Sequence, residues 1–173
     1  MSTYVALLRG INVGGRTIKM ADLRTAFDEL GLADVRTILA SGNVLFSATG
    51  AKATLQAKIE KQLSKTFGYD AHVVVVSAAE LKTIVAECPF TSTAGETAYV
   101  VMSSKPAALR ELATAELDEG CEAVELGKKA LYWRVQRGST LQTPFAKAAA
   151  KSKHATALTT RNRNTLEKVL AAV

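Results

Sequence analysis

Apolar positions along the chain fall into short blocks that alternate between strand-like and helix-like spacing. Residues 4–8 (YVALL) form a nearly continuous apolar run, as in a strand covered on both faces or placed centrally in a sheet. Leu23, Ala26, Phe27 and Leu30 then follow i, i+3, i+4, i+7 spacing, which predicts an amphipathic helix over 21–30 stopped by Gly31. Residues 35–40 read as a strand, Ser41, Gly42 and Asn43 as a short turn, and 44–47 as the antiparallel return. A helix over 51–67 carries Leu55, Ile59 and Leu63 on one stripe and ends at Gly68; the strand 72–77 follows, with valine at each of positions 73–76. This order is β-α-β-β-α-β, the split βαβ arrangement of ferredoxin-like domains. Two right-handed crossovers would set its first and last strands side by side at the sheet centre.

The second half repeats the outline. Ser77 to Glu80 (SAAE) is a capping box opening a helix to about residue 87, closed by Cys88, Pro89 and Phe90. A loop over 91–97 leads to a strand at 98–103, a helix at 106–116 with Pro106 in its first turn, and strands at 123–126 and 130–135 joined by Gly127, Lys128 and Lys129. In 131–135, alternation puts Leu131, Trp133 and Val135 on one face and Tyr132 with Arg134 on the other. The second face is either half-buried or a surface on which a base stacks. A short helix at 142–150, a polar basic connection at 151–160 and a final helix over 164–173 complete the chain, with no obvious closing strand. The expected fold class is α+β: two tandem ferredoxin-like (βαββαβ-related) subdomains with antiparallel or mixed sheets and helices packed on them. They span 1–77 and 78–173, the second carrying the basic C-terminal helix.

With 173 residues, 48% of them hydrophobic, the chain can bury one substantial core or two small ones. No apolar run approaches the roughly 20 residues that span a bilayer, so no membrane partner is expected. The chain opens on a strand and not on a basic and then apolar leader. Cys88 and Cys121 stand alone, as in a reducing, cytoplasmic setting. The net charge of +6 is local: residues 1–127 hold 12 Lys/Arg against 15 Asp/Glu, residues 128–173 hold 10 against one. Such a tail attracts phosphate backbones or acidic partners, or is a solvated face.

Two places concentrate polarity beyond what folding needs. After the first strand, Gly10, Gly14 and Gly15 permit positive φ and close approach of backbone N–H groups to a ligand, and Arg9, Asn12, Arg16 and Lys19 add donors. Residues 10–17 (GINVGGRT) differ from a phosphate-binding P-loop by Arg16 in place of lysine, and 18–20 delay the helix that should start on the phosphates. The stretch is thus an anion site or a tight strand-to-helix connection. Near the end, Thr159, Thr160, Arg161, Asn162, Arg163, Asn164 and Thr165 surround the N-terminus of the last helix, a second place for an anion, or simply for an N-cap. His72 and His154 lack paired ligands, so no metal is implied, and neither a nucleophile elbow nor a dinucleotide fingerprint is present. No cofactor is expected.

The opening YVALLRGINVGGRTIKMADLR, the turn SGNVLFS and the end TTRNRNTLEKVL resemble the DUF1697 family of bacterial proteins of unknown function. The resemblance implies an α+β fold of two ferredoxin-like subdomains and no established activity, substrate or cofactor. The motif positions it marks are Arg9, Gly10, Asn12, Gly14, Gly15, Lys19, Ser41, Gly42, Asn43, Thr160, Arg161, Asn162, Asn164 and Thr165. Arg163 stands where the family's final motif usually has tryptophan. The candidate ligand-binding set is Arg9, Asn12, Lys19, Ser41, Asn43, Thr160, Arg161, Asn162 and Asn164. Three functions follow as expectations. One is a binding module for an anionic ligand, a nucleotide or nucleic acid. Another is a small-molecule enzyme with a cleft between the subdomains, for which no general base can be named. The third is a structural or interaction protein in which Arg9 and Asn12 hydrogen-bond the turn at 41–43.

Overall fold

The computed structural model describes residues 1–12 and 14–173. The chain divides into two compact units, Met1–Leu81 together with Lys168–Val173, and Lys82–Glu167. The fold is mixed α+β, with two four-stranded antiparallel sheets and six helices among the described residues.

The first unit runs β1 (Ser2–Arg9), α1 (Met20–Asp28), β2 (Ala33–Ile38), β3 (Asn43–Ala48), α2 (Lys52–Phe67) and β4 (His72–Ser77). Its strand order is β2-β3-β1-β4. The first and last strands are therefore neighbours as expected, but β4 lies at the sheet edge and not at its centre. One face of the sheet carries Ala6, Leu8, Val44, Phe46, Val73 and Val75 into a core shared with Leu23, Ala26 and Phe27 of α1 and Leu55, Ile59 and Leu63 of α2. The alternate residues Val5, Leu7, Leu45, Val74 and Val76 are buried too, which is why β1 and β4 read as continuous apolar runs. Each such side chain contributes on the order of 1.5–3 kcal/mol on burial. Gly68 ends α2 in the left-handed conformation, φ 66°, as its place after the apolar stripe predicts. Strand β2 begins and ends two residues earlier than its apolar pattern suggests, and Leu39, just past its end, adopts a left-handed φ of 60° that stops the ladder there.

Helix α3 (Ala78–Ala86) follows, its Glu80 N–H donating to Ser77 Oγ at 3.1 Å as the capping box requires. The second unit then runs β5 (Glu96–Ser103), α4 (Pro106–Leu112), β6 (Glu122–Leu126), β7 (Leu131–Gln136), α5 (Pro144–Lys151), a 3-10 turn at Ala155–Ala157 and β8 (Leu158–Asn162), and the final helix α6 (Arg163–Ala171) begins in it and passes at Lys168 into the first unit's share of the chain. Strand order is β6-β7-β5-β8. A closing strand is thus present where a polar connection was expected. Its sequence, LTTRN, hides it: only Leu158 reaches the core of Val101, Leu109, Trp133 and Phe145, while β-branched threonines supply the extended backbone. Thr160, Arg161 and Asn162 consequently lie on a strand paired to β5, not on a loop before the last helix.

Helix α4 stops at Leu112, short of the expected 116, where Thr114 Oγ1 donates to Glu111 O at 2.8 Å and the amides of Thr114 and Ala115 make i−3 bonds that tighten its end. Helix α5 starts at Pro144, with Thr143 as N-cap accepting from Ala146 N–H. Alternation in β7 holds: Leu131, Trp133 and Val135 enter the core, while Tyr132 points to the other face. That face is no stacking surface at Tyr132, which is 1% exposed and donates its hydroxyl to Ile84 O at 2.8 Å. Among the described residues no helix is long and apolar enough to cross a membrane.

Candidate functional site

In the first unit the candidate site forms at the end of the sheet where β1 finishes. Arg9, the last residue of β1, is the register partner of His72, the first residue of β4. The chain then enters a loop whose backbone takes positive φ at Gly10 (68°), Asn12 (55°), Gly14 (62°) and Gly15 (81°). Ile11 and Ile18 are buried and pin the loop to the core.

Asn12 closes the loop on itself and on the sheet. Its Nδ2 donates to Ala40 O at 2.8 Å, and its Oδ1 accepts from Ile18 N–H at 2.9 Å. The neighbouring turn is fixed as tightly. Leu8 N–H donates to Gly42 O at 2.8 Å. Fully buried Asn43 donates from Nδ2 to Ile38 O at 2.9 Å and to Ser41 Oγ at 2.8 Å. A Cβ at Gly42 would stand 2.5 Å from Ile11 Cγ2, so only glycine lets turn and loop approach.

Asn12, Ser41 and Asn43 thus spend polar atoms on the shape of the site, while Arg9 and Lys19 stay exposed on it. Lys19 occupies the N-cap position of α1, where its carbonyl accepts from Leu23 N–H at 3.0 Å and its side chain makes no capping bond. Helix α1 starts at Met20, too late for a P-loop. Arg16, at the P-loop lysine position, instead places its guanidinium 4.5 Å from the centroid of the Tyr69 ring. Desolvation raises the Tyr69 phenol above its ordinary value, partly offset by the Arg16 charge. Nearby in sequence, His72 Nε2 meets Asp70 Oδ2 at 3.0 Å. Neither Tyr69 nor Asp70 carries a sequence signal; they follow a helix-ending glycine and belong to no periodic pattern.

The other four candidates lie in the second unit. Arg161 pairs with Val100 across β5 and β8, and its Nη1 donates to Thr159 Oγ1 at 2.9 Å and Thr160 O at 3.0 Å. Desolvation brings its guanidinium down to about 10. Asn162 Oδ1 accepts from Asn164 N–H at 2.9 Å and so caps the first turn of α6. Thr160 is exposed on the edge strand. Arg163 is tied down within this unit, donating from Nη1 to Phe90 O at 2.7 Å with Nε 3.1 Å from Glu167 Oε1. The nine candidates therefore form two groups, Arg9, Asn12, Lys19, Ser41 and Asn43 in one unit and Thr160, Arg161, Asn162 and Asn164 in the other.

One buried carboxylate in the second unit had no sequence signal. Glu122 accepts from Trp133 Nε1, Phe145 N–H and Asp118 N–H, and it is 2% exposed. All three of these bonds are internal, so the carboxylate fastens the core.

A family model described as "Protein of unknown function (DUF1697)" matches residues 1–132. Among solved structures the chain is similar to the conserved bacterial protein SP0830 from Streptococcus pneumoniae, at 25% identity and a TM-score of 0.79, over 98% of this chain and 97% of that one. No curated protein matches.

Proposed function

The chain belongs to the DUF1697 family of proteins of unknown function, and from that premise we propose that it is a binding module for an anionic ligand, a nucleotide or nucleic acid. The observation that carries this reading is the division of labour in the first unit. Asn12, Ser41 and Asn43 hold loop and turn in one conformation, and the cations Arg9, Arg16 and Lys19 remain exposed around a backbone with repeated positive φ. A site fixed before binding loses little conformational entropy when the ligand arrives. In the second unit, taken by itself, Arg161, desolvated and oriented by Thr159 and Thr160, is the corresponding cation in this reading. Both units are read as ferredoxin-like, supported by their β-α-β-β-α-β order and by strand orders β2-β3-β1-β4 and β6-β7-β5-β8. Free thiols at Cys88 and Cys121 support a reducing, cytoplasmic location.

A structural role for the same motif is the second reading, favoured by the Asn12–Ala40 and Asn43–Ile38 bonds. Thermal unfolding against inorganic phosphate, nucleotides, sugar phosphates and short oligonucleotides separates the two. A ligand bound only by the native state raises the midpoint by mass action. Binding predicts a rise that shrinks in Lys19→Ala, in Arg161→Ala and at high salt. A midpoint that no ligand moves, together with destabilised Asn12→Ala and Asn43→Ala, overturns the binding reading in favour of the structural one.

A further inference from the structure

Arg16 is exposed, yet its guanidinium is held over the half-buried ring of Tyr69 at 4.5 Å, and the ring packs against the core of the first unit. An unrestrained surface arginine samples many rotamers; the ring restricts this one and leaves its outer face to solvent. Guanidinium planes are surfaces on which nucleobases stack. Packing alone would be served by phenylalanine at 69, but the residue is tyrosine. Its hydroxyl is buried and has no hydrogen-bond partner among the described residues, a costly arrangement that core formation does not require. Lys19 is on the same loop, and Arg9 is in register with His72, which begins β4 just after Tyr69.

We propose that a nucleobase stacks on the outer face of the Arg16 guanidinium, with Tyr69 beneath it, while the phosphate of the same nucleoside meets Lys19 and Arg9. The ligand class is thus a nucleoside phosphate, free or as a unit of a single strand, and the proposal rests on the anion reading of this loop. It adds a layered stack of ring, guanidinium and base, which selects for a base where the loop cations select only for charge.

Titration calorimetry on the full chain compares inorganic phosphate, ribose 5-phosphate, adenosine 5′-monophosphate and a short oligo-dA. The wild type is expected to bind the mononucleotide about tenfold more tightly than ribose 5-phosphate. Arg16→Lys, which keeps the charge and loses the plane, should erase that preference, so that the mononucleotide and ribose 5-phosphate bind alike. Tyr69→Leu should reduce the preference in the same direction, with circular dichroism showing that the variant is folded. Tighter binding of oligo-dA than of the mononucleotide points to a single strand as the source, the reverse to a free nucleotide; both support the stack. Equal binding of ribose 5-phosphate and the mononucleotide by wild type, or a preference that survives Arg16→Lys, overturns the stack and leaves the anion site standing. Failure of the wild type to bind any of the four overturns the anion reading itself and the stack with it.

Discussion

Trp133 Nε1 donates to Glu122 Oε2 at 2.9 Å, in the core of the second unit. The other oxygen, Oε1, accepts from Phe145 N–H at 3.1 Å and Asp118 N–H at 3.3 Å. One buried carboxylate thereby joins β6 to β7, to the start of α5 and to the turn before β6. Removing it would leave an indole and two amides without acceptors. Glu122→Ala is expected to cost about 3 kcal/mol in urea unfolding, with Glu122→Gln intermediate. Trp133 is the sole tryptophan, so its fluorescence reports the transition directly. An alanine variant as stable as wild type would show that the three bonds contribute nothing net.

The Asn12 carboxamide is expected to act on stability through two bonds, to Ala40 O and from Ile18 N–H. Because its φ is 55°, Asn12→Gly relieves the backbone while removing both bonds, and should cost about 1–2 kcal/mol. Asn12→Ala adds left-handed strain and should cost roughly 1 kcal/mol more. Hydrogen exchange at the Ile18 amide should accelerate in both variants, and slow exchange there would argue against the clip.

Gly42 and Gly14 both have positive φ, but only Gly42 faces neighbours: a Cβ would lie 2.5 Å from Ile11 Cγ2 and 3.1 Å from Leu8 Cβ, against nothing within 4 Å at Gly14. Gly14→Ala should therefore cost about 1 kcal/mol from backbone strain, and Gly42→Ala should cost at least about 2 kcal/mol because the loop must also shift. Equal midpoints for the two variants would contradict the close approach.

Tyr132 carries a pH-dependent contribution. Burial, reinforced by Glu87, Cys88 and Glu125, pushes its phenol up to about 12 from 10.0. The folded state therefore holds the proton more firmly than the unfolded chain. The associated stability is complete below pH 10 and is lost as pH rises from about 10 to 12. Comparing wild type with Tyr132→Phe in urea at pH 8 and pH 11 isolates the effect from other alkaline titrations. The wild type should lose more stability over that interval; parallel losses would remove Tyr132 as the cause.

The elements easiest to read were those with long apolar periods, α2 with its Leu55, Ile59 and Leu63 stripe and β4 with its valines. β8 escaped because an edge strand with one core residue, Leu158, needs no apolar alternation and its threonines resemble a loop. At the candidate site, Arg9, Asn12 and Lys19 stood out by composition, yet composition could not separate Asn12, which shapes the loop, from the cations exposed on it. That distinction depends on where a carboxamide finds its partners, and Ala40 is 28 residues away along the chain. Tyr69 and Glu122 were invisible for a related reason: each matters through a partner far away in sequence, Arg16 in one case and Trp133 in the other.

The division of the chain gives the two units unequal histories on the ribosome. Lys82–Glu167 is one uninterrupted stretch, so translation delivers all of it before residues 168–173 are made. The first unit counts Lys168–Val173 among its residues, although its strands β1 to β4 emerge first. Vectorial synthesis therefore delivers the first unit's four strands long before the helical segment that completes it, with the uninterrupted unit made in between.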